Sequence, residues 1–261
     1  MRSAMRNGQR DIVVLDYPGR RAAASIASLG LESEGYTPWY LMSRHLPDEP
    51  TAAHYTASLY EHASPDLRVG AVMAYCAASA LAGDYAALVG AASGKRPPVI
   101  CFDAEPCTVR DLVECYAAAL RQVPEGSDGA PPVDIASLAH QPHRLVETVR
   151  EDLTRRMFHA LLADGIQSAD AESVVTRSVD IQVSWLTHLL ACFDTRLPNH
   201  EGNVLNVLSR RQADHGKWLA GETASTVRID CSRNDLLRHP ETQSVVLSFL
   251  EEHLSPGSGD Q

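Results

Sequence analysis

A cysteine between a predicted strand and a predicted helix is the residue best placed here for covalent chemistry. Residues 69–75 form an apolar run typical of a buried strand, VGAVMAY, and Cys76 follows it directly. A sharp strand-to-helix turn, usually G-x-S-x-G, holds a nucleophile above a sheet. In this sequence both glycine positions are alanine, Ala74 and Ala78, which indicates a departure from ordinary hydrolysis. The pattern predicts Cys76 as the thiol nucleophile of an acyl transfer.

The same turn is expected to stabilise negative charge. A helix N-terminus favours the thiolate of Cys76, and the backbone N–H of Ala77 would point toward a developing oxyanion. A second donor is expected after an earlier strand, where the backbone N–H of Gly19 or Arg20 is the candidate. We therefore predict an oxyanion hole formed by Ala77 together with Gly19 or Arg20.

An acid and a base would complete such a site. Asp103 closes the apolar run of residues 99–102, and the carboxyl ends of parallel strands meet at one edge of a sheet. We therefore expect Asp103 near Cys76, where it would orient a base. The candidate bases are three histidines near the last two predicted strands: His200, His215 and His239. Of these, His239 lies in the loop after the last strand and is the predicted base.

Each of these residues also has a structural interpretation. Cysteine is frequently a small buried hydrophobe, and an aspartate after a strand frequently caps a helix or a turn. A single histidine on a surface or in a core is common. The combination of the strand, the small-residue helix and the downstream aspartate favours the functional interpretation.

Composition limits the class of protein. A chain of 261 residues with a net charge of -10 and no basic stretch argues against nucleic-acid binding. No apolar run reaches the roughly 18 residues that span a bilayer, so we expect no membrane segment, and we expect no signal peptide. The six cysteines show no zinc-ligand spacing, which predicts reduced thiols, no metal and a cytoplasmic location.

Apolar runs and turn signals divide the chain into alternating strands and helices. Predicted strands cover residues 11–16, 39–42, 69–75, 98–102, 204–208 and 227–229. Predicted helices cover residues 21–29, 51–62, 77–92, 109–120 and 242–253, and a long helical stretch covers 135–193. This alternation predicts an α/β fold with a mostly parallel central sheet flanked by helices.

A helical block interrupts this alternation late in the chain. We expect residues 1–133 and 201–254 to form the α/β core, 134–200 a helical lid insertion, and 255–261 a disordered tail. A separate helical domain is the alternative. Three aromatic residues of the lid are candidate pocket walls, with packing between lid helices as the alternative role: Phe158, Trp185 and Phe193.

This layout resembles the α/β-hydrolase thioesterases of polyketide and nonribosomal peptide assembly. The resemblance rests on these segments: 12–19 (IVVLDYPG), their first strand and oxyanion loop; 75–78 (YCAA), their elbow; 99–106 (VICFDAEP), the strand that ends in their catalytic aspartate; and 202–210 (GNVLNVLSR), Trp218 and 227–237, their closing strand, tryptophan and histidine loop. The resemblance implies the α/β-hydrolase fold and the acid role for Asp103. Three features depart from the family. Arg20-Arg21 displace the Gly-Gly that often follows the oxyanion-loop Pro-Gly, and both elbow glycines are alanine. The family histidine aligns with Arg233, and arginine cannot accept a proton at neutral pH.

That departure shapes the expected function. A thiol needs less activation than a serine, so Cys76 could accept an acyl group, and without a base for water the acyl-enzyme would persist. We therefore expect a thioesterase-like acyltransferase of natural-product biosynthesis. It would take an acyl group from the phosphopantetheine arm of a carrier protein and pass it to a small molecule or a peptide, with no cofactor of its own. The alternatives are a hydrolytic editing or releasing thioesterase and a non-catalytic hydrolase-fold protein that binds an acyl carrier or metabolite.

Overall fold

A six-stranded parallel sheet organises the chain. The computed structural model describes residues 10–19, 25–123, 131–195, 202–215 and 224–254. The strands are β1 Asp11–Leu15, β2 Thr37–Tyr40, β3 Val69–Tyr75, β4 Val99–Phe102, β5 Val204–Leu208 and β6 Ala224–Arg228. They lie in the order β2-β1-β3-β4-β5-β6, and every neighbouring pair is parallel. The predicted parallel α/β sheet is confirmed.

Helices follow most of the strands. They are α1 Ala52–Glu61, α2 Ser79–Ser93, α3 Val109–Leu120, α4 Ile135–Leu138, α5 Pro142–Ala163, α6 Ser168–Asp194 and α7 Pro240–Leu254. Short 3-10 turns cover Ile26–Leu29, Leu31–Glu34, Leu41–Ser43, Cys76–Ala78 and Leu236–Arg238. Predicted and observed bounds agree for β3, β5 and α3.

Four predicted elements differ from the structure. The last strand, predicted at residues 227–229, is observed as β6 at Ala224–Arg228. The predicted strand 39–42 is displaced, because Leu41 and Met42 are buried in a 3-10 turn after β2. The described part of the predicted helix 21–29 is only a 3-10 turn, which Gly30 ends with a φ of 64°. The predicted helical stretch 135–193 is three helices, because Pro142 restarts the chain as α5 and Gly165 adopts a φ of 81° after it.

The chain divides into two compact units. The first unit contains residues 1–46, 56–106 and 197–261, and therefore the whole sheet. The second unit contains residues 47–55 and 107–196, and therefore α3 to α6. The predicted lid boundaries and the predicted tail stay predictions.

The four inner strands of the sheet, β1, β3, β4 and β5, are buried on both faces. One face contributes alternate residues of β1, β3, β4 and β5 to an apolar cluster with α7 and the nearby 3-10 turns. The intervening strand residues are equally buried, and α2 contacts β1, β3 and β4. Burial on both faces explains why β4 and β5 are continuously apolar or uncharged, as is typical of parallel strands.

A buried polar network holds the second unit together. Asp152, 6% exposed, accepts hydrogen bonds from Tyr116 Oη at 2.5 Å, Arg155 Nη2 at 2.5 Å and Arg156 Nε at 2.7 Å. Tyr116 Oη in turn accepts the backbone N–H of Val133 at 3.1 Å. The network joins α3, α5 and the segment before α4, and every charged member has a partner.

We expect Asp152→Ala to destabilise the protein by about 3 kcal/mol or more, because it leaves the buried Arg156 guanidinium without its counter-charge. Chemical denaturation checks this value. Glu114→Ala is the matched control, because it breaks an exposed ion pair with Arg110 on α3. An equal loss of stability in both variants would contradict the role of the network.

A buried histidine in α6 gives the second unit a dependence on pH. His188 is 1% exposed, stacks against Trp185, and has Nδ1 at 3.1 Å from Tyr55 Oη. Cys192 Sγ lies 3.7 Å from its Nε2. Burial lowers the pKa of His188 to about 3, so the folded protein keeps the ring neutral.

The unfolded chain binds a proton at His188 below a pH of about 6.5. The unfolded state is therefore favoured as pH falls from that value toward 3, and folding stability declines. We expect the wild type to lose more stability than His188→Asn between pH 7.5 and pH 5. Urea denaturation at both pH values measures this difference. Parallel losses in the two proteins would refute the contribution of His188.

Candidate active site

Cys76 lies at the carboxyl end of β3, in the turn that leads into α2. Its φ is 55°, in the left-handed region that residues other than glycine rarely adopt without surrounding constraint. A single 3-10 turn, Cys76–Ala78, separates the strand from the helix. Ala74 and Ala78 are buried, and their small side chains let the strand and the turn pack closely. This is the backbone geometry of a nucleophile elbow.

The elbow lies where the order of the sheet reverses. From β1, the chain places β2 on one side and β3 to β6 on the other, so a crevice is expected at the carboxyl ends of β1 and β3. Gly19 follows β1 at this edge, is exposed, and has a φ of 75°. Arg20 lies outside the described residues. The backbone N–H of Ala77 hydrogen-bonds to Cys76 and favours its thiolate. The oxyanion role of these three residues stays a prediction.

Asp103 lies at the end of the neighbouring strand β4 and is fully buried. Its φ of 42° is also left-handed. Its carboxylate accepts the backbone N–H of Ser209 at 2.7 Å and the Ser209 hydroxyl at 2.9 Å. It therefore braces the loop after β5, and no histidine in the described ranges hydrogen-bonds to it. Thr108 caps the following helix α3, so Asp103 is not its helix cap.

The side chain that reaches the nucleophile is Arg233, from the loop after β6. Its Nη2 lies 2.8 Å from Cys76 Sγ, and its Nε donates to Tyr75 Oη at 3.1 Å. Its Nη1 donates to Glu105 Oε2 at 3.2 Å. Its Nε also lies 3.9 Å from Asp103 Oδ2. One guanidinium thus joins the nucleophile to both carboxylates that follow β4.

Local hydrogen bonds place the Arg233 loop. The Ser232 hydroxyl donates to the Asp235 carboxylate at 2.6 Å, and the Asp235 backbone N–H donates to the Ser232 carbonyl at 3.1 Å. The Cys231 carbonyl accepts the backbone N–H of Arg210 at 3.0 Å. Leu236, just beyond, is buried in the apolar cluster. The loop is therefore fixed on both sides of Arg233.

Burial and charge act in opposite directions on Cys76. Burial raises the pKa of the Cys76 thiol, and the Glu105 carboxylate raises it further. Arg233 and the Ala77 N–H lower that pKa without cancelling the effect of burial. Cys76 is therefore a thiol at rest, because burial outweighs the support that the elbow gives to the thiolate.

Arg233 is a permanent cation. Burial alone would lower its pKa, but the facing Cys76, Tyr75 and Glu105 groups outweigh burial and raise it. Its guanidinium therefore stays protonated at every accessible pH. The residue beside the nucleophile is therefore a cation and a hydrogen-bond donor that cannot act as a base.

Comparison with known proteins identifies the fold of the chain. No protein-family model and no curated protein matches the sequence. A solved structure of the Vlm2 thioesterase domain, with genetically encoded 2,3-diaminopropionic acid and bound with a dodecadepsipeptide, does match. It is 13% identical with a TM-score of 0.50, and the match covers 94% of this chain and 98% of that chain. This chain has the α/β-hydrolase fold.

Two further matches have lower structural similarity. The RedJ thioesterase from the prodiginine biosynthetic pathway in Streptomyces coelicolor is 15% identical with a TM-score of 0.42, over 95% of this chain and 91% of that chain. The NocB thioesterase domain from the nocardicin cluster is 12% identical with a TM-score of 0.47, over 92% and 94%. Identities this low describe the fold, so the site itself rests on the geometry above.

Within this hydrolase fold the predicted histidine base has no supporting contact. His239 is half-buried before Pro240, the first residue of α7, and its carbonyl accepts the backbone N–H of Thr242 at 3.0 Å. Its position at a helix start explains why no described hydrogen bond joins it to Cys76 or Asp103. His215 likewise has no described contact with Cys76, and His200 lies outside the described residues.

The predicted pocket aromatics contact other residues of the second unit. Trp185 stacks on His188 with ring centroids 5.4 Å apart, and Phe193 lies 5.4 Å from the His140 ring. Phe158 is half-buried on α5. These contacts match the packing alternative, and the role of the three residues as pocket walls stays a prediction.

The described ranges also bear on three other features: a metal site, a membrane-spanning helix and a disulfide. No group of three or more His, Cys, Asp or Glu there is arranged to hold a metal ion. No helix described is long and apolar enough to cross a membrane. None of the six cysteines forms a disulfide.

Sequence reasoning missed three residues of the site: Tyr75, Glu105 and Ser209. Glu105 stands two residues beyond Asp103, and Ser209 follows β5 as Asp103 follows β4. The rule that polar residues at the carboxyl ends of parallel strands converge would have selected Ser209. The sequence gives no comparable indication for Tyr75, because an aromatic residue at the end of an apolar strand is expected to pack in the core.

We expect Arg233→Gln to raise the pKa of Cys76, because it removes the cation that offsets burial. Each unit of rise lowers the thiolate fraction, and hence alkylation, about tenfold. The rate of iodoacetamide labelling of Cys76 as a function of pH, followed by mass spectrometry, measures this pKa. Arg233→Lys keeps the charge and is the matched control. An unchanged or lower pKa in Arg233→Gln would contradict the electrostatic role.

Proposed function

We propose that this protein is an acyltransferase that carries an acyl group on Cys76. The observation behind the proposal is the 2.8 Å contact between Arg233 and the Cys76 sulfur. A permanent cation occupies the place beside the nucleophile where hydrolysis of an acyl-enzyme needs a base. The site is suited to accept an acyl group and poorly suited to activate water.

Acylation begins from a thioester donor. The Cys76 sulfur attacks the donor carbonyl carbon, a new C–S bond forms, and the donor C–S bond breaks. The proton of the Cys76 thiol leaves with the departing thiolate, so the donor is released as a thiol. Exchange of one thioester for another is nearly isoenergetic. Arg233 and the Ala77 N–H favour the thiolate of Cys76, and the proposal assigns the oxyanion to the Ala77 N–H.

The acyl-enzyme then waits for a nucleophile stronger than water. Arg233 cannot accept a proton from water, and no described histidine hydrogen-bonds to Cys76. An amine or a thiol needs less help from a base than water does. Transfer to such an acceptor restores the Cys76 thiol.

A carrier protein is the proposed donor. The Vlm2 structure, which is similar in fold, is a thioesterase domain. A thioesterase acts on a thioester, so this similarity supports a thioester donor, and the proposal places that thioester on the phosphopantetheine arm of a carrier. The arm is then a substrate, and the protein binds no cofactor of its own.

One observation favours a second candidate, a non-catalytic protein that binds an acyl group or its carrier. Burial raises the pKa of Cys76, so the resting thiol is a weak nucleophile. A hydrolytic thioesterase gains no comparable support, because no contact in the described ranges supplies a base. The two candidates differ in whether Cys76 becomes acylated.

We expect intact-protein mass spectrometry to show a gain of one acyl group when the protein is incubated with butyryl-pantetheine. Cys76→Ala should show no gain, because the sulfur is the acceptor. Cys107→Ala removes another partly exposed thiol and should still be acylated. The adduct should outlast removal of the donor and disappear when an amine or a thiol is added.

The other outcomes separate the alternatives. Loss of the thioester with release of butyrate and no adduct would indicate a hydrolytic thioesterase. Binding of the donor without adduct or turnover would indicate the non-catalytic protein. Equal acylation of wild type and Cys76→Ala would place the acceptor elsewhere and overturn the proposal.

A further inference from the structure

A cavity of about 410 Å³ lies beside Arg233 in the first unit. Residues 209–212 after β5 and residues 231–233 after β6 form its described walls. Its volume falls in the range of small-molecule sites. Of these residues, Arg233 takes part in the proposed chemistry and Ser209 binds Asp103, which leaves the cavity itself without a role.

The described walls carry positive charge only. They include three arginines and no acidic side chain, in a chain whose net charge is -10. Arg210 is paired with Asp230 and Arg233 with Glu105. Arg211 is exposed and, within the described part of the chain, forms no ion pair. Arg211 is therefore the cation available to an incoming anion.

A fourth arginine, Arg228, binds backbone carbonyl oxygens of the loop after β5. Arg228 Nη1 donates to the carbonyl oxygens of Ser209 at 2.8 Å, Arg210 at 3.3 Å and Gln212 at 2.8 Å. These acceptors are occupied and do not compete for the guanidinium groups of the cavity. The loop therefore presents its positive groups to a ligand.

The position of the cavity selects which reactant it can hold. Arg233 lines the cavity and also contacts the Cys76 sulfur. A ligand in the cavity therefore lies next to the same guanidinium that contacts the sulfur carrying the acyl group. The pantetheine arm is long, and its phosphate cannot lie this close to a thioester formed at Cys76. The anion must belong to a smaller reactant. Most of the exposed wall is carbon, which suits a reactant with an apolar body.

We propose that this cavity binds the acyl acceptor, and that the acceptor is an amine with a carboxylate and an apolar body, as an apolar amino acid has. The inference rests on the proposed acylation of Cys76. The carboxylate would pair with Arg211, whose guanidinium matches its planar geometry. The neutral amine attacks the acyl carbon, the C–N bond forms, the C–S bond breaks, and one amine proton passes to the leaving Cys76 sulfur.

The test compares leucine with leucinamide as acceptors. Protein loaded with a butyryl group is freed of donor, and loss of the adduct is followed by mass spectrometry. Leucinamide has the less basic amine and therefore more of the nucleophilic form at a given pH. Without a binding site for the carboxylate, leucinamide should therefore discharge the adduct faster than leucine. We expect leucine to discharge the adduct about tenfold faster, and Arg211→Gln to remove most of that advantage.

Arg238→Gln is the matched control, because Arg238 is an exposed arginine after β6 that does not line the cavity. It should keep the full preference for leucine. Equal discharge by leucine and leucinamide in the wild type would overturn the inference. So would faster, Arg211-dependent loading by succinyl-pantetheine than by butyryl-pantetheine, because the cavity would then hold an acid on the donor.

A binding measurement separates this inference from the proposed function. Leucine, and not leucinamide, should raise the Tm of Cys76→Ala, and the additional Arg211→Gln change should abolish the shift. A shift without any acyl-enzyme in the wild type would support the carboxylate site and refute the acyltransferase. An acyl-enzyme without a shift or a preference would refute the site alone.

Discussion

A permanent positive charge lies against a thiol that burial holds protonated, and the chemistry of this site follows from that opposition. Desolvation raises the pKa of Cys76, while Arg233, 2.8 Å from its sulfur, stabilises the thiolate. The cation is itself held by Glu105 and Tyr75, so its position does not depend on a substrate. It can stabilise negative charge as a bond forms or breaks at sulfur, but it cannot take a proton from water.

The sheet supplies the rigidity that this arrangement needs. Cys76 and Asp103 both have positive φ, at the ends of the adjacent strands β3 and β4. Such backbone is retained only where the surroundings over-determine it. Parallel pairing fixes both strand ends, and the bonds from Asp103 to Ser209 extend the support to the loop after β5. Asp103 thus acts here as a brace for the loops around the nucleophile.

The loops after β5 and β6 carry the charged side chains of the cavity beside Arg233. They are tied to each other by the bond from Arg210 to the Cys231 carbonyl and by the Arg228 contacts with residues 209–212. The same residues wall the cavity beside Arg233. Rigid loops around a charged cavity, next to a nucleophile, are the arrangement expected of a binding site that holds a second reactant.

The sequence by itself determined the features that are local in the chain. β3, β5 and α3 follow from apolar runs and turn signals, and Cys76 follows from its place between strand and helix. Sequence alone did not distinguish a strand from a 3-10 turn at Leu41 and Met42, since both bury apolar side chains. It aligned Arg233 with the family histidine without indicating its partners, because Arg233 and Cys76 are 157 residues apart. The parallel order of the strands brings the loops that carry Arg233 and Cys76 to one edge of the sheet. Only this tertiary arrangement places the Arg233 charge beside the buried sulfur of Cys76.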